Sequence, residues 1–367
     1  MERVVVLDFG GQYNQLIARR VREAGVYSEL LPHTAPIEQI KGESLSGLIL
    51  TGGPDSVYAE GAKACDGGIF SLGVPVLGIC YGMQYIAKAF GGRIEAAPVR
   101  EYGRTPIRMT EHPLLKGLDS GIVWMNHNDS VFGMPAGFRA IAETDNCPFA
   151  AFADDARKLY GIQFHAEVAH TPKGELIFHN FLKNICGCSC TYSPAGLADT
   201  LIAQIRAQVG EGRVLGALSG GVDSSVASVL VHNAIGDRLT CIFVDHGLLR
   251  HKEAEEVISF YRDKLNLNII KIDARERFLG KLAGVTEPEQ KRKIIGAEFV
   301  HVFEEEAKKL GGADWLLQGT IYPDVIESGT QTGAKIKSHH NVGGLPADIG
   351  FKGLVEPLRM LFKDEVR

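Results

Sequence analysis

The chain has 367 residues, enough for two or three domains that each bury a hydrophobic core. Its formal net charge is −5 and no block of like charges stands out, so nucleic acid is not expected as a main partner, because a phosphate backbone needs a basic surface. The longest apolar runs have only the length of a strand, which excludes a membrane-spanning helix. The first residues enter a strand without a basic leader, and the seven cysteines are scattered, so we expect a cytoplasmic protein.

Strand and helix patterns alternate along the first half of the chain. Short apolar runs at residues 4–7, 48–50 and 74–79 predict strands, and periodic stretches at 15–24 and 82–90 predict helices. Such alternation is typical of parallel βα units. The predicted fold class is therefore α/β, with open, mostly parallel sheets covered by helices. Active sites in these sheets lie at the carboxyl ends of the strands.

A cysteine stands where the strand at 74–79 meets the following helix. Cys80 lies between Gly78 and Gly82, a pattern that resembles a nucleophile elbow with cysteine in place of serine. A helix N-terminus favours the thiolate, which is the attacking species. One alternative is a buried structural cysteine. A metal site is another, but no closely spaced pair of ligands supports it.

Two further segments favour nucleophilic catalysis by Cys80. An alternating strand ends at His165, which can act as a general base, and Glu167 can orient and stabilise the imidazole. A glycine turn after another strand can direct the N–H of Gly53 at a developing oxyanion, with the N–H of Tyr81 as the second donor. These residues predict a cysteine, histidine and glutamate triad with an oxyanion hole.

The alternation breaks after residue 185, and we predict a domain boundary there. The first domain is expected at 1–188, a linker at 189–196 and a second domain at 197–367. Three cysteines lie at the boundary with CxCxC spacing, but they have no partner pair and no nearby histidine, so a metal is not expected. Further strands are predicted at 214–218, 240–244, 268–272 and 315–318.

The strand at 214–218 leads into a loop that suits a phosphate group. Glycines let backbone N–H groups approach an anion, serines add hydroxyl donors, and the following helix contributes its positive N-terminus. No lysine stands at the helix start, unlike in the phosphate loop of kinases and GTPases. The alternative is a serine-rich cap on an ordinary helix. The loop consists of Ser219, Gly220, Gly221, Val222, Asp223, Ser224 and Ser225.

Each half resembles a known family. The SGGVDSS loop resembles that of the ATP pyrophosphatases, which implies an adenine nucleotide α-hydrolase-like fold and cleavage of ATP between its α and β phosphates. The first half resembles the class I glutamine amidotransferases on the triad predicted above. That resemblance implies attack of the thiolate on the glutamine side-chain amide, release of ammonia and hydrolysis of the glutamyl thioester. It also implies that Gln84, His127 and Asp129 contact glutamine.

Together, the two halves resemble the glutamine-hydrolysing GMP synthetase family. The resemblance implies a carbon–nitrogen ligase of purine biosynthesis, in which ATP with Mg²⁺ adenylates the C2 oxygen of xanthosine monophosphate and ammonia then displaces AMP. It places Asp223 near Mg²⁺ and Lys337 over the leaving pyrophosphate, although Lys337 alone could equally be a solvated lysine of a mobile loop at 328–337. Asp245 ends an apolar strand and is expected to line the ATP pocket. The matching segments include residues 244–250, 318–328, 336–346 and 361–367.

Members of this family continue into a third domain, which mediates homodimerisation and helps to bind xanthosine monophosphate. The sequence ends at Arg367, so we expect the glutamine and ATP sites but not the dimerisation domain. Two alternatives stay open: a glutaminase whose synthetase half is disabled, and a non-catalytic nucleotide sensor. The intact triad argues against the sensor.

Overall fold

The computed structural model describes residues 2–193, 196–327 and 351–367. The chain divides into two compact units, Met1–Ser193 and Pro194–Arg367, and the division falls inside the segment predicted as a linker. The loop predicted at 328–337, with Lys337, lies outside the described residues. Within the described part of the chain, no helix has both the length and the apolar character that crossing a membrane requires.

Among residues 2–193, nine strands form one mixed sheet in the order β2-β1-β3-β4-β9-β8-β7-β5-β6. The first five strands of that order are parallel, and the remaining neighbours are antiparallel. The strands are β1 (Arg3–Asp8), β2 (Tyr27–Pro32), β3 (Leu45–Leu50), β4 (Val76–Ile79), β5 (Arg93–Met109), β6 (Gly121–Gly133), β7 (Arg139–Glu143), β8 (Ala151–Asp154) and β9 (Leu159–Ile162).

Helices cover this sheet, and its central parallel strands β1, β4 and β9 are buried on both faces. Every residue from Val4 to Leu7 in β1 is fully buried, which explains why the parallel strands are continuous apolar runs in the sequence. The helices of the unit are α1 (Asn14–Glu23), α2 (Ile37–Ile40), α3 (Tyr81–Ala89) and α4 (Glu175–Asn180), which continues as a π-helical turn (Phe181–Ile185).

The second unit contains a wholly parallel sheet in the order β12-β11-β10-β13-β14 within its described residues. Strand β10 is central, and the chain crosses to β11 on one side and to β13 on the other. The crevice at such a switch point is where open α/β sheets bind ligands. The strands are β10 (Val214–Ala217), β11 (Leu239–Asp245), β12 (Ile269–Asp273), β13 (Trp315–Leu317) and β14 (Gly353–Val355).

The helices of the second unit complete its α/β layers. Helix α6 packs Ala227 and Val231 into the same core as Val214 of β10 and Phe243 of β11. The predicted α/β fold class is confirmed, and all four strands predicted for this half are present. The helices are α5 (Leu197–Val209), α6 (Val222–Ile235), α7 (Glu253–Ser259), α8 (Arg275–Leu282), α9 (Pro288–Lys309), α10 (Tyr322–Glu327) and α11 (Lys363–Val366).

Candidate active sites

Cys80 occupies a strained turn between β4 and α3. Its backbone has φ 53° and ψ −107°, a conformation that non-glycine residues rarely adopt and that nucleophile elbows use. A Cβ on Gly78 would lie 2.4 Å from the backbone of Gly82, and one on Gly82 would lie 2.3 Å from the carbonyl oxygen of Leu50. Both flanking glycines are therefore required for the tight turn that the sequence predicts.

His165 and Glu167 lie just beyond the carboxyl end of β9. The Nδ1 atom of His165 is 2.7 Å from Oε1 of Glu167, and both side chains are buried. Thr171 Oγ1 donates to the His165 carbonyl at 2.6 Å and further fixes the segment. With Nδ1 bonded to a carboxylate, Nε2 is the ring nitrogen left for proton transfer, and it makes no hydrogen bond within the described residues.

The side chains of Cys80 and His165 meet beside Gly52. A Cβ built on Gly52 would lie 3.6 Å from Cβ of Cys80 and 3.6 Å from Cε1 of His165. Burial opposes the charged imidazole, but the interactions with Cys80 and Glu167 outweigh burial and raise the pKa of His165 to about 10. The imidazole is therefore protonated at neutral pH, and an imidazolium is the partner that a thiolate nucleophile requires.

The two predicted oxyanion donors lie on neighbouring backbone segments. A Cβ on Gly53 would lie 3.2 Å from Cγ of Tyr81, so the glycine turn packs directly against the start of α3. The N–H of Gly82 donates to the Thr51 carbonyl at 3.1 Å and ties the two segments together. Neither the N–H of Gly53 nor that of Tyr81 donates a hydrogen bond to another described residue. Both are available to a ligand, and their role stays a prediction.

A cavity of about 250 Å³ opens beside the triad, and sequence reasoning missed one of its walls. That wall is the turn between β1 and α1, residues 10–14. A Cβ on Gly11 would lie 2.5 Å from the carbonyl oxygen of Gly52, which explains the glycine there. A glycine pair directly after a strand was the available signal. The lining residues are Gly10, Gly11, Gln12, Tyr13, Asn14, Ile17, Gly52, Gly53, Pro54, Cys80, Asn126, His165 and Glu167.

Gln84, His127 and Asp129 form a buried polar network instead of lining the cavity. Gln84 Nε2 donates to the carbonyl oxygen of Asp129 at 2.9 Å and to Gln163 Oε1 at 3.0 Å. His127 Nδ1 lies 3.0 Å from the same Asp129 carbonyl. The network therefore ties α3 to strand β6 and does not reach the cavity lining. Direct contact of these three residues with glutamine stays a prediction.

Glu101 on β5 anchors this network and was not predicted. Its Oε2 atom lies 3.2 Å from His127 Nε2, and its Oε1 accepts from Thr144 Oγ1 at 2.7 Å. Glu101, His127 and Cys147 bring three potential metal-ligand atoms within 4.8 Å of one another. No other such group of three occurs in the described residues. Burial raises the pKa of the Cys147 thiol to about 12, which favours a hydrogen-bonded core over a metal centre.

The SGGVDSS loop connects β10 to α6 at the switch point of the second sheet. Gly220 has φ +76°, and Gly221 is the N-cap of α6 with no side chain capping it. Ser224 and Ser225 donate their hydroxyls back to the Gly221 carbonyl at 3.0 and 2.6 Å. The loop thus holds itself in place with its own side chains.

Part of the backbone N–H set of this loop remains open, since, before Ser225, only the N–H of Gly221, which donates to Ser219 Oγ at 3.3 Å, and that of Ser219, which donates to Ser224 Oγ at 3.4 Å, bond within the loop. The first bond of helix α6 runs from the N–H of Ser225 to the carbonyl of Gly221 at 3.1 Å, so the preceding N–H groups have no partner inside the helix. Residues Gly220, Gly221 and Val222 are exposed. This arrangement fits an anion at the helix N-terminus better than it fits a serine cap.

Two carboxylates stand at the same edge of this sheet. Asp223 Oδ2 accepts from Lys363 Nζ at 2.5 Å, while its Oδ1 is buried without a hydrogen-bond partner among the described residues. Asp245, at the carboxyl end of β11, accepts from the N–H of Gly247 at 3.2 Å and lies 3.4 Å from Lys271 Nζ. The sequence predicted both carboxylates, but it did not predict Lys363 as a partner.

Comparison with known proteins finds sequence relatives that cover both units. The model of the glutamine amidotransferase class-I family matches residues 5–185. The glutamine-hydrolysing GMP synthase of Symbiobacterium thermophilum is 57% identical over 99% of this chain and 71% of its own length. The GMP synthase of Caldicellulosiruptor saccharolyticus is 58% identical over 100% of this chain and 72% of its own length. The GMP synthase of Clostridium perfringens is 57% identical over 99% of this chain and 72% of its own length.

The first unit is a class I glutamine amidotransferase domain. It has the cysteine elbow, the buried histidine–glutamate pair and the match to the family model. The relatives match across both units and not the first alone. This chain belongs to the family of glutamine-hydrolysing GMP synthases and spans 71–72% of the length of these relatives.

Proposed function

We propose that Cys80 hydrolyses glutamine with His165 and Glu167, and that the second unit uses the ammonia to convert xanthosine monophosphate into GMP. The first half of the proposal rests on one observation, a strained cysteine that meets a buried histidine held at 2.7 Å by a carboxylate. Membership of the GMP synthase family supports the second half and the use of ATP.

The glutaminase steps follow from a site that holds a Cys80 thiolate beside a protonated His165. The Cys80 thiolate attacks the side-chain amide carbon, and the N–H groups of Gly53 and Tyr81 bind the oxyanion. His165 Nε2 gives its proton to the departing nitrogen, which leaves as ammonia. The neutral imidazole then takes a proton from water as the water attacks the thioester, and glutamate leaves. Glu167 keeps Nδ1 protonated throughout, so Nε2 always faces the reacting atoms.

In the second unit, the SGGVDSS loop would hold the pyrophosphate of ATP with its open N–H groups. Lys363 would offer a positive charge beside the same phosphates, since it already pairs with Asp223. The unpartnered Oδ1 of Asp223 fits one oxygen ligand of Mg²⁺. When bound, Mg²⁺ supplies charge neutralisation for the phosphates. The prediction for Lys337 concerns a residue outside the described part.

Coupling the two reactions within one chain has a chemical reason. Only unprotonated ammonia is a nucleophile, and bulk water at neutral pH would protonate most of it. Local supply raises the effective concentration at the amination site and limits this loss. The C2 oxygen of xanthosine monophosphate leaves poorly until it is adenylated, so ATP is required before ammonia can act.

The experiment is a set of substrate omissions with the full chain. The complete reaction contains glutamine, ATP, Mg²⁺ and xanthosine monophosphate, and each further reaction omits one of them. Every reaction is analysed for glutamate, pyrophosphate and GMP. We expect pyrophosphate and GMP only when the nucleotide substrate is present. Glutamate without nucleotide-dependent pyrophosphate would contradict the synthetase half and support the glutaminase alternative.

A further inference from the structure

Helix α1 presents one face to the segment that carries the histidine and the glutamate of the triad. Tyr13, Ile17 and Arg20 are separated by four and then three positions, so they share one side of the helix. The ring of Tyr13 lies against the imidazole of His165 in a T-shaped arrangement, with 5.2 Å between the ring centroids. Ile17 is buried and lines the cavity beside the triad. This face of α1 therefore packs beside the catalytic histidine.

Arg20 makes the contact at the other end of this face. Its Nε donates to the carbonyl oxygen of Glu167 at 3.0 Å, and no other described residue donates to that oxygen. The guanidinium is held in turn by Glu23, whose Oε2 accepts from Nη1 of Arg20 at 2.7 Å. A charged donor makes a stronger hydrogen bond than a neutral one. Arg20 therefore ties Glu167 firmly to α1.

The position of the Glu167 carboxylate depends on the backbone that carries it. Its Oε1 meets Nδ1 of His165, but its Oε2 has no partner among the described residues, so no side-chain bond to the rest of the fold holds it. Residues 163–174, between β9 and α4, contain neither a helix nor a strand. The N–H of His165 donates to the Trp124 carbonyl of β6 at 2.9 Å, and the bond from Arg20 fixes Glu167 to α1.

We propose that Arg20 is a positioning residue of the glutaminase site, which holds the Glu167 carboxylate against His165 through the Glu167 backbone. Arg20 does not line the cavity, so it acts through Glu167 and not on the substrate. A displacement of about 1 Å caused by a change far from the chemistry can cost about 10²-fold in rate. The inference rests on the proposed glutaminase function and adds a residue to it.

Four groups surround the imidazole of His165 and determine how firmly it keeps its proton. Burial lowers the pKa of His165, but its interactions with Cys80 and Glu167 outweigh burial and raise that pKa to about 10. Burial lowers the pKa of His127 on β6, and the charge of His165 lowers it further. Tyr13 packs against the ring from α1. If Glu167 moves away, His165 loses a stabilising negative charge and should lose its proton at a lower pH.

Arg19 provides a matched control one position away. Its Nε pairs with Oε1 of the same Glu23 at 2.9 Å, and its side chain is 44% exposed. Adjacent residues of a helix point about 100° apart, so Arg19 lies off the face that meets the triad. Replacing either arginine removes one positive charge and one ion pair from α1. The change at Arg20 also removes the bond to Glu167.

The test is a double-mutant cycle on the full chain, with glutamate release from glutamine as the assay. Arg20→Met should lower kcat by about 10- to 100-fold with little change in KM, because the triad and not the cavity is disturbed. Arg19→Met should stay within about twofold of the wild type, since an exposed ion pair contributes little. In a Glu167→Gln background, Arg20→Met should cost less than about threefold, because its effect passes through the lost carboxylate.

Two further measurements separate positioning from a general structural role. The alkaline limb of the kcat/KM profile, which reports loss of the His165 proton, should move to lower pH in Arg20→Met. Arg20→Gln should recover more activity than Arg20→Lys, because a glutamine amide places a donor where Nε of arginine lies and a lysine does not. This comparison remains decisive even if Arg20→Met folds poorly, which circular dichroism and ammonium-supported GMP formation would reveal.

Equal kcat values in Arg20→Met and Arg19→Met would overturn the inference. An Arg20→Met effect of the same size in the wild-type and Glu167→Gln backgrounds would also overturn it, and so would greater recovery by lysine than by glutamine. Each of these results leaves the proposed function in place as long as Cys80→Ala abolishes glutamate release. Glutamate release that persists in Cys80→Ala would instead overturn the proposed function and this inference with it.

Discussion

Glu167 and His165 form a buried pair in the wall of the cavity beside Cys80. Oε1 of Glu167 lies 2.7 Å from Nδ1 of His165, and the glutamate is completely buried. The other carboxylate oxygen, Oε2, has no hydrogen-bond partner among the described residues. A buried carboxylate with so few partners strongly favours a charged imidazole beside it. The histidine is therefore held both in place and in its protonated form.

The first prediction concerns the pH dependence of stability. The pKa of His165 is raised from its ordinary value of 6.5 to about 10, by Cys80 and Glu167 acting against burial. Its contribution to the free energy of unfolding is thus fully present below pH 6.5 and is lost as the pH rises through about 10. Calorimetry across this pH window should show that the free energy of unfolding declines in the wild type and declines less in Glu167→Gln. An equal decline in both proteins would contradict the assignment. Glu175→Gln, at an exposed position on α4, is the control.

The second prediction concerns the rate of the same variant. Glu167→Gln should lower kcat for glutamine hydrolysis by about 10²- to 10⁴-fold, because an amide can favour the wrong imidazole tautomer. Turnover supported by added ammonium should stay near the wild-type level. Steady-state assays with glutamine and with ammonium measure the two rates. Loss of both the glutamine-supported and the ammonium-supported activity would indicate general unfolding instead of a tautomer effect.

The third prediction tests Glu101 as a positioning residue. Glu101→Ala removes the partner of His127 Nε2 and of the Thr144 hydroxyl, so it should destabilise the first unit by about 1–3 kcal/mol. It should also raise KM for glutamine more than it lowers kcat, because strand β6 shifts while the triad remains. Urea unfolding and steady-state kinetics measure these effects. Glu95→Ala, on the same strand but exposed, should change neither quantity.

The fourth prediction concerns the phosphate loop. Gly220 has φ +76°, and a Cβ there would lie 3.1 Å from Cγ2 of Val257. Gly220→Ala should raise KM for ATP by about tenfold or more, given that a left-handed alanine costs about 1–2 kcal/mol. Gly236→Ala is the matched control, because it has φ +62° at the other end of α6 with nothing within 4 Å of its Cβ. Equal effects of the two changes would argue against a ligand at the loop.

The sequence was sufficient for most of the parallel strands, but the parallel edge strands β2 and β14 were not predicted. Strands β1, β3 and β4 are buried on both faces, so their apolar runs are continuous and easy to identify. Cys80 could be predicted because it lies directly after β4, and His165 because it lies three residues beyond the end of β9. The local pattern carries the information in both cases.

The long antiparallel strands and their contacts could not be predicted in this way. Most residues of β5 are exposed or half-buried, so its sequence lacks a clear apolar alternation. Glu101 meets His127 only through the register of β5 on β6, and Lys363 reaches Asp223 across 140 positions of the chain. Such contacts depend on how strands and helices pack, and no local motif signals them.

The most direct test of the central claim is Cys80→Ala assayed with two nitrogen donors. Cys80 is the proposed thiolate of the glutamine site, while the phosphate loop belongs to the other compact unit. With ATP, Mg²⁺ and xanthosine monophosphate present, we predict that the variant forms no GMP from glutamine but forms GMP from added ammonium at the wild-type rate. Glutamine-dependent GMP formation by the variant would contradict the account.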